Sequence, residues 1–183
     1  MVILASGSPR RRELMKNVVD NYKVITSDID ESTSLNLPPL EAVLDIAKRK
    51  GLKVKETHPD DLILSADTIV VLDNQIIGKP KDEEDAKRIL RLLSNRTHEV
   101  ITAYCWIKGD KLIERYVTSK VVFYELSDEL INEYVATGSP LDKAGGYGVQ
   151  DNKRFPIVKE VIGSIDNVIG FPTKEIKEDY LKF

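Results

Sequence analysis

Strand-like and helix-like segments alternate along this chain, and this alternation constrains its fold more than any other feature. The apolar run Val2–Ala5 is typical of a buried strand, and the Ser8-Pro9 pair after it predicts a helix with Ser8 as its N-cap. Similar changes from strand to helix recur along the chain. The pattern predicts an α/β protein with a mixed, twisted sheet and flanking helices, in a single domain over residues 1–183.

Later segments set the order of the predicted elements. A helix opens at Pro38-Pro39 and is predicted to end at Gly51, which fits a C-cap. The apolar run Leu62–Leu72 predicts a strand, and Gly109-Asp110 between two long apolar runs predicts a β-hairpin. A last strand is expected over Phe155–Ile162. Further helices are predicted after the N-cap residues Asp82 and Ser127.

The overall composition excludes several classes of function. The 183 residues carry a formal net charge of −3 with a pI near 5.5, whereas non-specific nucleic-acid binders are usually basic. No apolar run approaches the ~20 residues of a membrane span and no signal peptide precedes the first strand, so we expect a cytoplasmic protein. Cys105, the only cysteine, lies in an apolar stretch, which predicts a buried structural thiol. Two histidines are too few for a His-rich zinc site.

The turn after the first strand has the composition of a phosphate-binding site. Ser6, Gly7 and Ser8 offer backbone N–H groups and two hydroxyls. The arginines that follow, Arg10 to Arg12, lie on the first helical turn, where positive charge opposes the helix dipole. An anion bound at the turn would compensate for this cost. The alternative is an ordinary helix start with solvated arginines.

Asp67 interrupts an apolar strand, with apolar residues on both sides. A buried carboxylate needs a partner, a metal ion or a shifted pKa. Asp67 is therefore a candidate for a general base that accepts a proton from water, for a ligand of a hard cation such as Mg²⁺, or for both. The alternative is an edge-strand aspartate that points into solvent.

Three further charged residues are candidates with weaker signals. Glu31 belongs to an acidic loop that fits a metal ligand or a solvated turn. Lys79 lies between Gly78 and Pro80, where a restrained backbone would aim its ammonium at a phosphate, and the alternative is a lysine in a surface turn. Lys50 lies near a helix end, where the alternative is a cation that stabilises the helix dipole and requires no further role.

The segment 141–150 is rich in glycine and carries one aromatic and one amide side chain. Glycines let a backbone approach a ligand closely. The Gln150 amide offers a donor and an acceptor that match the edge of a pyrimidine base. Tyr147 fits either stacking on a base or packing inside the loop.

Four motifs together resemble the Maf family of nucleoside triphosphate pyrophosphatases, also called septum-formation inhibitor proteins. They are Ser6-Gly7-Ser8-Pro9-Arg10-Arg11, Ala66-Asp67-Thr68, Gly78-Lys79-Pro80 and the segment 142–150. The resemblance implies two lobes around a cleft, a fold like that of the inosine triphosphate pyrophosphatases, and hydrolysis of a nucleoside triphosphate to the monophosphate and pyrophosphate. It also implies a divalent cation, Mg²⁺ or Mn²⁺, and a chain that is often a homodimer.

The resemblance assigns roles to individual residues. Asp67 becomes the proton acceptor. The expected metal ion fits Glu31 as a ligand, with Asp67 as base, as metal ligand or as both. Base selectivity is assigned to Arg10, Thr68 and Gln150. Arg11, Glu31, Lys50 and Lys79 correspond to further polar residues of the family's cleft. Ser6 and Ser8, from the composition of the turn, are expected to hold the triphosphate. The form of the 144–150 loop resembles the branch that acts on dTTP and UTP, with modified pyrimidine triphosphates as further substrates and a house-cleaning role.

Two departures from the family pattern and three rival functions remain. Asp151 stands where the family usually has glycine, and the segment Gly163–Asn167 replaces a usual Gly-x-Tyr. The rivals are a non-catalytic nucleotide-binding regulator of cell division, a pyrophosphatase for 7-methyl-GTP, and a single-strand nucleic-acid binder. The acidic pI argues against the last.

Overall fold

The computed structural model describes residues 1–183. Its strands are β1 Val2–Leu4, β2 Lys23–Val24, β3 Leu62–Leu72, β4 Gln75–Ile77, β5 Thr97–Lys108, β6 Lys111–Phe123 and β7 Val158–Ile162. Its helices are α1 Pro9–Met15, α2 Pro39–Lys55, α3 Glu83–Leu93, α4 Asp128–Ala136, α5 Ile165–Ile169 and α6 Thr173–Tyr180. Short 3₁₀ turns cover Ser34–Asn36, Ser139–Asp142, Ala144–Gly146 and Val149–Asp151.

The strands form one seven-stranded mixed sheet in the order β2-β1-β3-β5-β6-β7, with β4 paired to β3. The pairs of β1 with β2 and with β3 are parallel, whereas β3 with β4 and β6 with β7 are antiparallel. Parallel neighbours need crossover connections and antiparallel ones accept tight turns. The predicted mixed α/β architecture is therefore confirmed.

The predicted helix starts are confirmed by their capping bonds. Ser8 Oγ accepts from the Arg11 amide at 3.3 Å, Asp82 Oδ1 from the Asp85 amide at 2.8 Å, and Ser127 Oγ from the Leu130 amide at 3.1 Å. Each side chain satisfies one amide that the first helical turn leaves without a partner.

Two predicted boundaries differ from the structure, and one helix was not predicted. Helix α2 does not end at Gly51 but continues to Lys55, because Gly51 is buried against the sheet instead of ending the helix. The last strand begins at Val158, not at Phe155. The short helix α5 was not predicted, because five residues are too few to display a helical apolar period.

The chain divides into two compact units. The first contains residues 1–68, 101–117 and 166–183. Its core includes Leu64, Tyr104 and Trp106, with Trp106 donating its indole N–H to the Ile176 carbonyl at 3.0 Å. Tyr104 donates its hydroxyl to the buried carboxylate of Asp179 at 2.6 Å. These bonds attach α6 to β5.

The second unit contains residues 69–100 and 118–165. Its interior holds an edge-to-face trio of rings from His98, Phe123 and Tyr147, with centroids 4.7 to 5.3 Å apart. Edge-to-face contacts of this kind place the positive edge of one ring on the negative face of the next. The trio fixes part of the glycine-rich loop to strands β5 and β6.

Cys105 lies on β5 with no solvent exposure, and burial raises the pKa of its thiol to about 12. This confirms the predicted buried structural thiol. None of the six helices combines the length and the apolar character that crossing a bilayer requires.

Candidate active site

The register of the sheet brings the Ser6–Arg11 turn beside the strand that carries Asp67. Strand β1 runs parallel to β3, with Leu4 beside Leu64, and the Ala5 amide donates to the Leu64 carbonyl at 2.8 Å. Residues that follow β1 therefore lie alongside the part of β3 that approaches Asp67 and Thr68. Loops at the carboxyl ends of parallel strands are the usual place for a ligand in α/β proteins.

Arg11 links the turn to β3 through three hydrogen bonds. Its Nη2 donates to Thr68 Oγ1 at 3.0 Å, its Nε to the Gly170 carbonyl at 2.8 Å, and its Nη1 to Ser6 Oγ at 3.3 Å. All three acceptors are uncharged, so no carboxylate neutralises this guanidinium directly. An anionic ligand would find a positive charge already oriented towards it.

The electrostatic surroundings of Arg11 are consistent with a site for an anion. Burial lowers the pKa of Arg11 from its usual value, the negative charge of Asp67 opposes this shift, and the positive charge of Arg10 adds to it. Burial and a neighbouring cation both disfavour the charged form. A bound polyphosphate would relieve both effects.

The hydroxyl groups behind Arg11 form a chain with a defined direction. Thr102 Oγ1 donates its proton to the Asn167 carbonyl at 3.1 Å. The 2.8 Å bond between Thr68 and Thr102 must therefore use the Thr68 proton, because each hydroxyl has only one. Thr68 in turn accepts from Arg11, which leaves it one lone pair for a ligand.

The hydrogen bonds of Ser6 and Ser8 also determine which of their hydroxyl groups can still donate. Ser6 Oγ accepts from the Ser8 amide at 3.2 Å and from Arg11, which occupies both of its lone pairs. Its own O–H remains as a donor. Ser8 caps α1 and also keeps its O–H. Two hydroxyl donors beside a guanidinium suit phosphate oxygens.

Asp67 and Glu31 share one cation, the ammonium of Lys50. The Lys50 Nζ lies 2.9 Å from Asp67 Oδ1 and 3.3 Å from Glu31 Oε1. Asp67 and Lys50 are 14% and 19% exposed, whereas Glu31 is 47% exposed. The structure thus brings these three predicted site residues together and rejects the solvent-facing alternative for Asp67.

Close packing of α2 on β3 places Lys50 where it reaches Asp67. A Cβ added to Gly51 would lie 2.6 Å from Ser65 Oγ and 2.8 Å from Ile107 Cδ1, so only glycine fits there. The Ser65 hydroxyl also donates to the Ala47 carbonyl of α2 at 2.6 Å. Lys50 directly precedes Gly51 on α2, and Asp67 lies two residues after Ser65 on β3. The close helix–strand contact therefore brings these two side chains together.

The acidic loop that carries Glu31 is fixed to α2 by Arg49. Arg49 donates to the Asp30 carbonyl at 2.6 Å and to Ser34 Oγ at 2.7 Å. Ser34, which is fully buried, donates its own proton to Asp45 at 2.5 Å. Glu31 is therefore exposed, but Asp30 before it and Ser34 after it in the loop are both held by Arg49.

The carboxylates of this site fit one type of metal centre. No group of three or more His, Cys, Asp and Glu side chains lies close enough to hold a metal ion alone. Magnesium commonly takes only one or two protein carboxylates, because substrate phosphates and water complete its six ligands. Asp67 and Glu31 already surround one cation, so this donor set fits.

The second unit contains the remaining predicted residues, Lys79 and Gln150, both of them exposed. The Gly145 amide donates to the Gly78 carbonyl at 3.2 Å, so the Gly-Lys-Pro segment lies against the glycine-rich loop. A Cβ on Gly146 would meet Pro80 at an ordinary van der Waals distance of 3.4 Å. These two motifs are neighbours in this unit.

Tyr147 packs inside its unit. It is 6% exposed, and its hydroxyl lies 2.6 Å from His98 Nε2. Of the two readings of this residue, the structure favours packing over stacking on a base.

The Maf-like protein family matches residues 1–181, nearly the whole chain. This chain belongs to the Maf family. The Maf chain is 46% identical over 171 residues to the dTTP/UTP pyrophosphatase of Pyrococcus furiosus, covering 93% of this chain and 89% of that protein. It is 40% identical over 181 residues to the dTTP/UTP pyrophosphatase of Bacillus cytotoxicus, covering 99% and 94%.

The Maf chain also shares its fold with a solved structure of distant sequence. The HAM1 protein from Coxiella burnetii superposes with a TM-score of 0.56 at 13% identity, covering 100% of this chain and 98% of that one. At this identity the likeness concerns the fold alone, and it confirms the predicted fold class.

Several residues of the Maf chain that shape the site were not predicted from its sequence. Thr102 and Gly170 hold Thr68 and Arg11, and Arg49 anchors the Glu31 loop. A threonine inside the apolar run of β5 was the available signal for Thr102. Nothing local marks Gly170, since its contact with Arg11 joins residues 159 positions apart.

Proposed function

We propose that this protein hydrolyses dTTP and UTP to the corresponding monophosphate and pyrophosphate. Two relatives with 40% and 46% identity over nearly the whole chain carry that name. The single observation that carries the proposal is the Arg11–Thr68 hydrogen bond of 3.0 Å. It joins a turn suited to polyphosphate with the strand segment that presents a carboxylate.

The polyphosphate is held, in this proposal, by groups that donate hydrogen bonds without needing to move. Arg11 offers a fixed guanidinium, and the O–H groups of Ser6 and Ser8 face the same ligand. The resemblance to the family adds Lys79 as a further point charge for the phosphate groups. Phosphoryl transfer concentrates negative charge on the phosphoryl oxygens in the transition state, so such pre-oriented donors lower the barrier.

Asp67 acts as the general base. Lys50 holds Asp67 Oδ1 at 2.9 Å and leaves Oδ2 for a water molecule. The carboxylate orients this water towards the α-phosphorus and accepts its proton as the new P–O bond forms. The bond between the α-phosphorus and its bridging oxygen breaks, and pyrophosphate leaves.

A divalent cation, Mg²⁺ or Mn²⁺, would be held by Asp67 and Glu31. When bound, it neutralises charge on the phosphate groups and orients pyrophosphate as leaving group. Lys50, which contacts both carboxylates, would then share them with the cation.

Selection of the base is assigned to Arg10, Thr68 and Gln150. The Gln150 amide matches the donor and acceptor pattern of uracil and thymine. We place the activity in the cytoplasm, with a nucleoside triphosphate as partner and without stable nucleic-acid binding. Modified pyrimidine triphosphates belong to the same substrate class.

The proposal is tested with the Asp67→Asn variant. Purified wild-type protein with Mg²⁺ should release pyrophosphate from dTTP and UTP faster than from 7-methyl-GTP or purine triphosphates. Asp67→Asn should lower kcat at least about a hundredfold, the usual scale for loss of a general base. Its melting temperature should stay close to wild type. Absence of pyrophosphate release by the wild type would instead support a non-catalytic nucleotide-binding regulator.

A further inference from the structure

Asp151 directly follows Gln150, and two hydroxyl groups from other segments hold its carboxylate. Its Oδ2 accepts from the Tyr134 hydroxyl of α4 at 2.8 Å and from the Ser139 hydroxyl at 2.7 Å. The reaction proposed above does not use this carboxylate. The two bonds nevertheless fix the 149–151 turn to α4 and to the start of the 139–142 turn.

Tyr134 passes this restraint to the backbone of the glycine-rich loop. It is fully buried, and its oxygen accepts a hydrogen bond from the Gly148 amide at 3.0 Å. Burial first, and the bond to Asp151 second, raise the pKa of Tyr134. Its hydroxyl therefore keeps its proton at neutral pH and donates it to Asp151.

The Gln150 amide group lies directly against Gly148. A Cβ added to Gly148 would lie 2.9 Å from Cδ and from Nε2 of Gln150, and 2.9 Å from Cε of Lys143. Lys143 is itself held, since its ammonium donates to the Ser139 carbonyl at 2.7 Å. The amide of Gln150 thus lies against the backbone of Gly148, whose own N–H is bonded to Tyr134.

An amide that selects between pyrimidines must be held in one orientation. Rotation by half a turn exchanges its oxygen and its NH₂ group, which have nearly the same size. Thymine and uracil present a ring N–H donor beside a carbonyl acceptor, whereas cytosine presents a ring nitrogen acceptor beside an amino donor. A freely rotating amide would serve both, so discrimination requires a restraint.

We propose that Asp151 and Tyr134 are positioning residues that restrain the Gln150 amide and thereby set selection of thymine and uracil over cytosine. This inference rests on the proposed function of Gln150. The path runs from the carboxylate to the Tyr134 hydroxyl, then to the Gly148 backbone and finally to the amide.

The first test compares dTTP with dCTP as substrates of Asp151→Ala. Loss of a hydrogen bond to a charged group corresponds to roughly a tenfold effect or more, so the ratio of kcat/KM for dTTP to that for dCTP should fall about tenfold. The loss should appear in KM for dTTP, with kcat changed less than about threefold. Asp151→Asn retains an acceptor oxygen and should recover part of the ratio. Lys153→Ala, an exposed change in the same loop, is the matched control.

A double-variant cycle separates positioning from general loosening. In a Gln150→Ala background, Asp151→Ala should cause no further change in the dTTP to dCTP ratio, because the group it positions is gone. An additional tenfold loss in that background would overturn the inference, as would an unchanged ratio in the single variant. Gly148→Ala, which displaces the amide sterically, should lower the ratio without touching Asp151.

A measurement without catalysis distinguishes this inference from the proposed function. The side-chain ¹⁵N–H resonances of Gln150 should report a rigid amide in the wild type and a mobile one in Asp151→Ala. Equal mobility in both proteins overturns the inference even if the enzyme is active. A wild type that hydrolyses no triphosphate overturns the proposed function, while the amide mobility still decides whether Asp151 restrains Gln150.

Discussion

At the scale of single residues, Arg11 has the most constrained side chain of the candidate site, because three hydrogen bonds hold its guanidinium. Its three donor nitrogens point in different directions and reach a backbone carbonyl and two hydroxyls. The planar guanidinium suits this arrangement because its donors have a fixed geometry. Held in this way, the charge needs no reorganisation when a phosphate group arrives, which is the condition for electrostatic catalysis.

Arg11→Lys tests whether geometry or charge matters here. Lysine keeps the positive charge but offers one nitrogen in place of three. We expect kcat/KM for dTTP and UTP to fall at least about tenfold, equally for both bases, since a point charge cannot reproduce the fork. Steady-state kinetics measure this.

The neighbouring Arg12→Lys provides the control for Arg11→Lys. Arg12 lies on the same helix and is exposed, so its replacement should change kcat/KM less than about twofold. Equal losses in the two variants would mean that only the summed charge of the arginines matters.

At the scale of elements, the packing of α2 on β3 sets the distance between Lys50 and Asp67. A glycine in the middle of a helix costs stability in itself, by ~1 kcal/mol relative to alanine. Gly51 is retained in a position where any side chain would collide with Ser65 and Ile107. Glycine at this position lowers the intrinsic stability of the helix but allows α2 to pack closely on the sheet.

Gly51→Ala should therefore destabilise the protein although alanine favours helices. We expect overpacking of about 1–3 kcal/mol to exceed the ~1 kcal/mol gain in helix propensity. Urea denaturation followed by circular dichroism measures the free energy of unfolding. The same variant should show lower kcat, because Lys50 moves with α2.

Two further variants check the cause of that destabilisation. Ser65→Ala in the Gly51→Ala background removes the nearer obstacle and should recover part of the loss. Gly78→Ala, where a Cβ meets nothing within 4 Å, should be nearly neutral in stability. An increase in stability from Gly51→Ala would contradict this view of the helix–strand contact.

Elements were predictable from the sequence where local chemistry decides them. The caps Ser8, Asp82 and Ser127 and the hairpin at Gly109-Asp110 are local, and they are confirmed. The predicted end of α2 was wrong because a glycine is equally typical of a C-cap and of a close packing contact. The difference depends on Ser65, which is distant in sequence but adjacent in space.

The same distinction applies to the site. Residue types and an apolar context identified Asp67 and the Ser6–Arg11 turn as candidates. The Lys50–Asp67 contact and the Thr68–Thr102 chain depend on strand register and helix packing, which no local pattern contains. Asp151 was visible only as a departure from the family pattern, and its partners were not.

At the scale of the whole molecule, a buried histidine links stability to pH. His98 is 2% exposed, its Nε2 lies beside the Tyr147 hydroxyl, and its Nδ1 has no hydrogen-bond partner. Burial lowers the pKa of His98 from 6.5 to about 4. The folded protein therefore keeps this ring neutral across a range in which the unfolded chain binds a proton.

The consequence is a loss of stability on acidification. Above pH 6.5 both states hold His98 neutral, and its contribution is fully present. As the pH falls from 6.5 towards 4, the unfolded state gains the proton first and becomes relatively more stable. At ~1.4 kcal/mol for each pKa unit, the loss amounts to about 3 kcal/mol.

Chemical denaturation at several pH values between 4 and 7.5 checks this expectation. The His98→Gln variant cannot titrate at this position, so its free energy of unfolding should depend less on pH than that of the wild type. His58→Gln replaces the other histidine, which is partly exposed, and serves as the matched control for the substitution. Parallel curves for wild type and His98→Gln would exclude a role of His98.

The enclosed sulfur of Cys105 makes the native protein chemically silent towards alkylating reagents. It is the only cysteine, so a cysteine introduced at an exposed position would be the single group that reacts. Fluorophores or spin labels can thus be attached at one chosen point without first removing a natural thiol. Conversely, labelling of Cys105 itself would measure the fraction of molecules in which β5 has become accessible to the reagent.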